Sequence, residues 1–332
     1  MTAPTPDTHQ AVRLIAGRYR LRRVLGEGPA GVMWLGYDEL LHRQVAIKEV
    51  RLRPDLTEAE AATLRDRTMR EARVIAALTH PNVVAVYDVV TEGVDPFVVM
   101  ELLPARSLAE LVRRHGPLTV AQAALVADAV AAALDTAHRH GVIHRDVKPG
   151  NVLVGDDGQV KLTDFGIAQT VSESTLTDRG LALGNPSYVA PEVIRDDTVT
   201  PAADLWGLGA TLFTAVEGQP PFPDAAPLAT LNAAVKQLLD GEIPRPSGDN
   251  TVTGIITGLM ARDPADRLSL VEVRRRTRGL LPAPGSRVFP IDGSDSTTTR
   301  VRPLTHLAPR PTAPADPGAA APLAADPGPL PF

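Results

Sequence analysis

Residues 142–153 read Val142-Ile143-His144-Arg145-Asp146-Val147-Lys148-Pro149-Gly150-Asn151-Val152-Leu153. An apolar pair leads into a polar loop, and an apolar strand-like run follows. Asp146, Lys148 and Asn151 sit on this one short loop and can converge on a point. A carboxylate there can orient a hydroxyl and accept its proton, while the Asn151 amide oxygen is a hard ligand suited to Mg²⁺. Downstream, Lys161-Leu162-Thr163-Asp164-Phe165-Gly166 places a second carboxylate after another short strand. Asn151 and Asp164 together offer two oxygens to metal ions that bridge phosphates. Either Asp alone would read as a turn residue; the pair in this spacing carries the chemistry.

Upstream, Leu25-Gly26-Glu27-Gly28-Pro29-Ala30-Gly31-Val32 holds G-x-G-x-x-G, a weak signal by itself. A dinucleotide site would need a helix directly after the glycines. A strand follows here, so the loop is a flap between two strands whose backbone can approach phosphates without side chains in the way. Val45-Ala46-Ile47-Lys48 then sets a Lys on the next strand, one hairpin from the flap. Such a Lys needs an acidic partner, and Glu71 in the following helix is the candidate.

The chain has 332 residues, 44% apolar and 22% charged, with aromatics at 4%. That is ordinary for a globular protein long enough to bury its own core, a core resting on Ala, Val, Leu and Ile. No Cys is present, which excludes disulfides, thiol nucleophiles and Cys-ligated metals and fits a reducing compartment. A net charge of −5 argues against broad nucleic-acid binding. The reading expects no uninterrupted membrane-length apolar run and no secretory signal in Met1–Gln10. A membrane segment would belong to chain beyond Phe332.

Strands come first and helices second, an α+β order. Strands are expected around 20–25, 32–37, 44–50, 83–90 and 97–100. One helix is inserted, opened by the capping box Thr57…Glu60 and running to about Leu78. Further helices are expected at 119–140, 201–217, 226–239 and 251–260. His138 and His140 flank the end of the first of these, where the lack of Cys weighs against a zinc site, and Arg274-Arg275-Arg276 closes the last helix, where cations are favoured. Residues 1–16 read as a flexible start, 17–280 as the domain (lobes at about 17–100 and 104–280), and 281–332, rich in Pro, Ala, Gly and Thr, as a disordered tail.

These ordered pieces resemble the eukaryotic-like protein kinase family, in its bacterial serine/threonine style. They are Gly26/Gly28/Gly31, Val45-Ala46-Ile47-Lys48, Glu71, His144-Arg145-Asp146 with Asn151, Asp164-Phe165-Gly166 and Ala190-Pro191-Glu192. Asp204 and Arg267 extend the match, which spans roughly Gly17 to Leu280. The resemblance implies a bilobal kinase fold, with a β-rich N-lobe carrying one regulatory helix and a helical C-lobe. It also implies transfer of the ATP γ-phosphate to protein Ser/Thr hydroxyls with Mg²⁺, for which Mn²⁺ can substitute.

By the same resemblance, Gly26, Gly28 and Gly31 cover the phosphates, and Lys48 binds them and pairs with Glu71. Asp146 accepts the hydroxyl proton, Lys148 contacts the γ-phosphate, and Asn151 and Asp164 hold metal. Met100 is the gatekeeper, Glu101 to Leu103 the hinge, and Met33, Ala46 and Leu153 the walls around adenine. His144, Phe165, Ile75, Asp204, Glu192 and Arg267 are structural. Thr175 and Thr177 are candidate activating phosphosites, with Arg145 as the partner of a phosphate there. Thr297-Thr298-Thr299 in the tail could recruit a phosphothreonine-reading domain. No nucleic-acid partner is expected, and the location is expected to be cytoplasmic.

Three positions depart from the pattern. Pro29 cannot donate an N–H to phosphate, Met33 stands for the usual Val, and Asn185 stands for the usual Thr. A pseudokinase scaffold and a small-molecule kinase of related fold are the alternatives. The retained Lys48, Asp146 and Asp164 weigh against the first, and the long segment from Asp164 to Glu192 against the second.

Overall fold

Alternation along strands decides which side chains reach the cleft. The computed structural model describes residues 13–28, 31–50, 57–93, 95–166, 186–196, 198–222, 236–283, 286 and 288–290. In it, six antiparallel strands are ordered β1-β2-β3-β4-β6-β5. They are β1 Leu14–Ile15, β2 Tyr19–Gly28, β3 Gly31–Asp38, β4 Arg43–Glu49, β5 Val86–Glu92 and β6 Asp95–Met100. On β4, Val45 and Ile47 point to an outer cluster with Ile15, Tyr19, Phe97 and Val99. Ala46 and Lys48 therefore point the other way. Their cross-strand partners share that face: Lys48 lies opposite Met33 and Val98, and Ala46 opposite Met100. One alternating strand thus separates a wall that stabilises the N-lobe from a wall that lines the cleft.

The glycine flap is the β2–β3 hairpin end, with Gly28 paired to Gly31. Gly31 has φ +130, and a Cβ there would lie 2.0 Å from the Glu49 carbonyl oxygen, so no other residue fits. At Gly26 and Gly28 the space where a Cβ would stand is open. The opposite end of that hairpin is held by Arg18, whose Nε and Nη2 each donate to the buried Asp38 carboxylate at 2.8 Å. That contact pulls the Asp38 carboxyl down to about 2.

Helix α1, Glu58–Ala76, begins at the expected capping box. The Thr57 N–H donates to Glu60 Oε2 at 2.8 Å and the Glu60 N–H to Thr57 Oγ1 at 3.3 Å. The C-lobe contains α2 Leu108–His115, α3 Val120–Arg139, α4 Pro191–Asp196, α5 Pro201–Glu217, α6 Thr251–Leu259 and α7 Leu270–Thr277. Of the helix expected at 226–239, residues 236–240 are described and helical. A small sheet, β7 Ala105–Ser107, β8 Val152–Gly155 and β9 Val160–Leu162, joins the lobes' junction to the catalytic loop. Helix α3 is long and apolar enough to cross a membrane by length and composition. Its apolar character is explained by packing, since Ala123, Ala127, Val130 and Leu134 are fully buried in the C-lobe core.

Both expected domain edges need correction. Residues 13–16 are not a loose start: β1 pairs with β2, Ile15 is fully buried, and Arg13 Nη1 bonds Glu49 Oε1 at 2.7 Å. The stretch after Leu280 is not wholly tail either. Phe289 is only 8% exposed and belongs to the main core, and Gln122 Nε2 donates to the Val288 carbonyl at 2.7 Å. An aromatic and a backbone carbonyl supply the apolar area and the hydrogen bond that the surrounding Pro/Ala composition lacks. The remaining tail, from residue 291, and residues 1–12 lie outside the described residues.

Candidate active site

A buried aspartate sets the catalytic loop. Asp204, on the first turn of α5, is 1% exposed. Its Oδ2 accepts the His144 N–H at 2.8 Å and lies 2.7 Å from His138 Nε2, and its Oδ1 accepts the Arg145 N–H at 2.8 Å. These bonds hold Arg145 at φ +69, a left-handed conformation that non-glycine residues adopt at a cost of roughly 1–2 kcal/mol. The chain therefore turns sharply and presents Asp146. His138, at the end of α3, is part of this anchor.

His144 is fully buried and neutral. The Asp146 N–H donates to its Nδ1 at 3.2 Å, so Nε2 carries the proton, directed at the Thr163 carbonyl 2.9 Å away. Burial pushes its pKa down, outweighing the raising effect of Asp204. Its ring meets Phe165 at 4.6 Å between centroids, tilted by 50°, an arrangement aromatic rings favour. The Gly166 N–H closes the contact onto the His144 carbonyl at 3.1 Å. The loops carrying Asp146 and Asp164 are thus locked together.

The convergence expected of Asp146, Lys148 and Asn151 is present. Lys148 Nζ lies 2.7 Å from Asp146 Oδ2. Asn151 Nδ2 donates to the Asp146 carbonyl at 2.8 Å and to Oδ2 at 3.0 Å. Its amide oxygen is then the group left for a cation. A single 3₁₀ turn, Pro149–Asn151, produces this geometry, and the Thr163 N–H donates to the Asn151 carbonyl at 2.9 Å, tying in the strand that delivers Asp164. Asp164 itself has φ +59, a second left-handed position at the site.

The Lys48 partner differs from expectation. Lys48 Nζ bridges Asp164 Oδ1 at 2.9 Å, and among the described residues Asp164, not Glu71, is its ion-pair partner. Glu71 instead accepts from Arg67 Nε, one turn earlier on α1, at 3.3 Å. Two carboxylates were available to one ammonium, and the placement of α1 leaves Asp164 within reach. Residues Pro29, Ala30, Thr175, Thr177 and Asn185 lie outside the described residues.

At the junction of the lobes, Glu101 is held from three sides. Its N–H donates to the Ala85 carbonyl at 2.9 Å, and its carboxylate receives the Ala85 N–H at 3.3 Å and Lys161 Nζ at 2.8 and 2.9 Å. Met33, Leu103 and Leu153 pack against the cluster that contains Ala46 and Met100. Leu153 and Lys161 are cross-strand partners, so both face the junction. Deeper in the C-lobe, Arg267 donates to both oxygens of Glu192 at 2.7 and 2.6 Å, its side chain fully buried and that of Glu192 10% exposed, beneath Trp206.

Among the described residues no group of three His, Cys, Asp or Glu could hold a metal ion unaided. The donor set Asn151 and Asp164 fits Mg²⁺ as it is commonly held, by one or two protein oxygens with substrate phosphates and water completing the shell.

Comparison with known proteins agrees with this geometry. The family described as protein kinase domain matches residues 19–277. The serine/threonine-protein kinase PknL of Mycobacterium bovis is 34% identical over 261 residues, covering 76% of this chain and 63% of the relative. The serine/threonine-protein kinase PrkC of Bacillus subtilis is 35% identical over 263 residues, covering 78% and 39%. The serine/threonine-protein kinase PknA of Mycobacterium tuberculosis is 33% identical over 308 residues, covering 86% and 69%. The chain spans between about two-fifths and two-thirds of the length of these relatives. With its motifs in family order, its loops locked around Asp146 and its two lobes built as described, the chain belongs to the protein kinase family, among the bacterial serine/threonine kinases.

Proposed function

We propose that this chain transfers the γ-phosphoryl group of ATP to Ser or Thr hydroxyls of proteins. The observation that carries the reading is the convergence of Asp146, Lys148 and Asn151 beside the Lys48–Asp164 pair. Lys148 and Asn151 occupy Asp146 Oδ2, which leaves Oδ1 to receive a substrate hydroxyl and take its proton. The hydroxyl oxygen forms the new bond to phosphorus, the bond to the β,γ-bridging oxygen breaks, and ADP leaves. Lys148 balances the charge that develops near Asp146, and Lys48 faces the phosphates from the N-lobe wall. Mg²⁺, or Mn²⁺ in its place, would be held by Asn151 and Asp164 and would neutralise phosphate charge. Met33, Ala46 and Leu153 enclose adenine, Met100 stands behind it, and the Glu101–Leu103 backbone reads its edge. Gly26, Gly28 and Gly31 cover the phosphates.

The full donor set supports catalysis over a scaffold role. We further assign Thr175 and Thr177 as autophosphorylation sites whose phosphates pair with Arg145. Thr297–Thr299 would be docking points for phosphothreonine-reading partners, and the cytoplasm is the compartment that supplies ATP and suits a chain without Cys. Incubating purified chain with γ-labelled ATP, with and without Mg²⁺, and mapping the label tests the reading. Metal-dependent labelling of Thr175 or Thr177 and of an added protein is expected. Equal labelling by Asp146→Asn would refute it.

A further inference from the structure

Strand β8 has two faces. Leu153 and its partner Lys161 look toward the lobe junction, while Val154 and its partner Val160 look into the C-lobe and are 3% and 2% exposed. Phe289 is buried in the main core on the Val154 side, where Phe289, Val154, Arg106, Leu111 and Gly158 together line one small niche. It arrives from a segment more than 120 residues later in the chain than β8. The approach has room because Gly158, at φ +84 in the β8–β9 turn, has no side chain, and the Ser286 carbonyl oxygen passes 4.0 Å from where its Cβ would stand. Gln122 anchors the segment in place. Its Oε1 accepts the Thr119 N–H at 2.8 Å, capping α3, while its Nε2 donates to the Val288 carbonyl at 2.7 Å.

We propose that the Val288–Pro290 strap is an intramolecular ligand of this niche, and that Phe289 is a positioning residue for nucleotide binding. Phe289 backs the strand whose opposite face carries Leu153. Interiors are close-packed, so a void on one face of a four-residue strand displaces the side chains on the other. The strap thus makes the floor of the adenine site depend on chain beyond the region that the family resemblance covers. The inference rests on reading Leu153 as an adenine contact.

Three strap variants and one control test it by steady-state kinetics on the full chain. Phe289→Ala opens the niche. Gln122→Glu keeps the acceptor that caps α3 but removes the donor to Val288. Both are expected to raise KM for ATP roughly three- to tenfold, with kcat moving less than twofold. Phe289→Leu, which still fills the niche, is expected to restore KM to within twofold. Leu153→Ala supplies the control and should raise KM for ATP. If it does while Phe289→Ala and Gln122→Glu do not, the strap has no positioning role and the adenine reading survives. If Leu153→Ala leaves KM unchanged, the adenine reading fails and takes the positioning role with it. A lower melting temperature with unaltered KM in the strap variants would reduce Phe289 to a packing residue. Should Phe289→Ala fail to fold, Gln122→Glu and Phe289→Leu still decide the question.

Discussion

Replacing Asp204 should separate loop geometry from nucleotide affinity. Asp204→Ala leaves the His144 and Arg145 N–H groups without acceptors in a site that is 1% exposed. Each unsatisfied buried donor costs about 1–3 kcal/mol, so the direct loss is about 2–6 kcal/mol. Arg145, no longer held at its left-handed φ, relaxes and recovers roughly 1–2 kcal/mol of backbone strain. The net destabilisation is therefore about 2.5 kcal/mol, within a span of about 0–5 kcal/mol. For a domain of this size the central value lowers the melting temperature by roughly 5–10 °C. Relaxation moves Asp146, the next residue, and displacement of order 1 Å commonly costs on the order of 10² in rate. Lys48 comes from a different lobe, so KM for ATP should hold. Asp204→Asn keeps one acceptor and turns an NH₂ toward the other N–H, so intermediate losses follow. Differential scanning fluorimetry with steady-state kinetics reads both quantities. A kcat for Asp204→Ala within threefold of the parent, in a folded protein, would refute the argument that Asp204 positions Asp146.

Other substitutions test other parts. Glu192→Gln strands the buried Arg267 guanidinium and should cost about 3–5 kcal/mol in urea unfolding, whereas a Glu192→Leu/Arg267→Met double variant should cost markedly less; equal losses would contradict the desolvation argument. Glu71→Gln weakens a part-exposed i,i+4 contact with Arg67, worth about 0.2–0.5 kcal/mol, yet should lower kcat if α1 must move to bring Glu71 to Lys48. Unchanged kcat would leave Asp164 as the sole partner Lys48 needs. His144 has a folded pKa below its unfolded value of about 6.5, so the unfolded state binds the extra proton. Stability is then fully present above about pH 6.5 and falls as pH drops below it, by at most about 1.4 kcal/mol per unit for that group. His80, lowered by burial and by nearby Arg274 and Arg139, adds in the same direction. His144→Phe, which keeps the ring against Phe165, should flatten part of that slope in unfolding titrations from pH 7.5 to 5; an unchanged slope would exclude His144 as its source.

Local chemistry was readable and long-range choice was not. Asp146, Lys148 and Asn151 share one loop, so their spacing alone implies their meeting. Lys48 faces the cleft because strands alternate, and Thr57 with Glu60 announces α1 through a local bond pattern. Which carboxylate Lys48 takes depends instead on where the whole of α1 rests, a tertiary outcome that no motif near Glu71 encodes. The His138–Asp204 contact joins residues 66 apart, and a lone His at a helix end carries no mark of a distant partner. Phe289 was hidden by its neighbourhood: one aromatic in a Pro/Ala/Thr stretch reads as tail composition until a niche for it is seen. β1, two residues long, is below the length at which alternation is visible.

The clamp on Glu101 has a mechanical meaning. Lys161 ties the first residue of the connector to the C-lobe sheet, and Ala85 ties it to the strand edge beside β5. Beyond the pinned residue, the Leu103 carbonyl accepts the Ala105 N–H at 2.9 Å and the Pro104 carbonyl accepts the Asp156 N–H at 3.3 Å. Pro104 also has a fixed φ, so rocking of one lobe against the other should bend chiefly at Leu102. A lever with so short a flexure swings through a small set of angles with little slack. Because the Lys161 and Glu101 side chains are only 12% and 22% exposed, dissolved salt should soften that flexure far less than it would a surface ion pair.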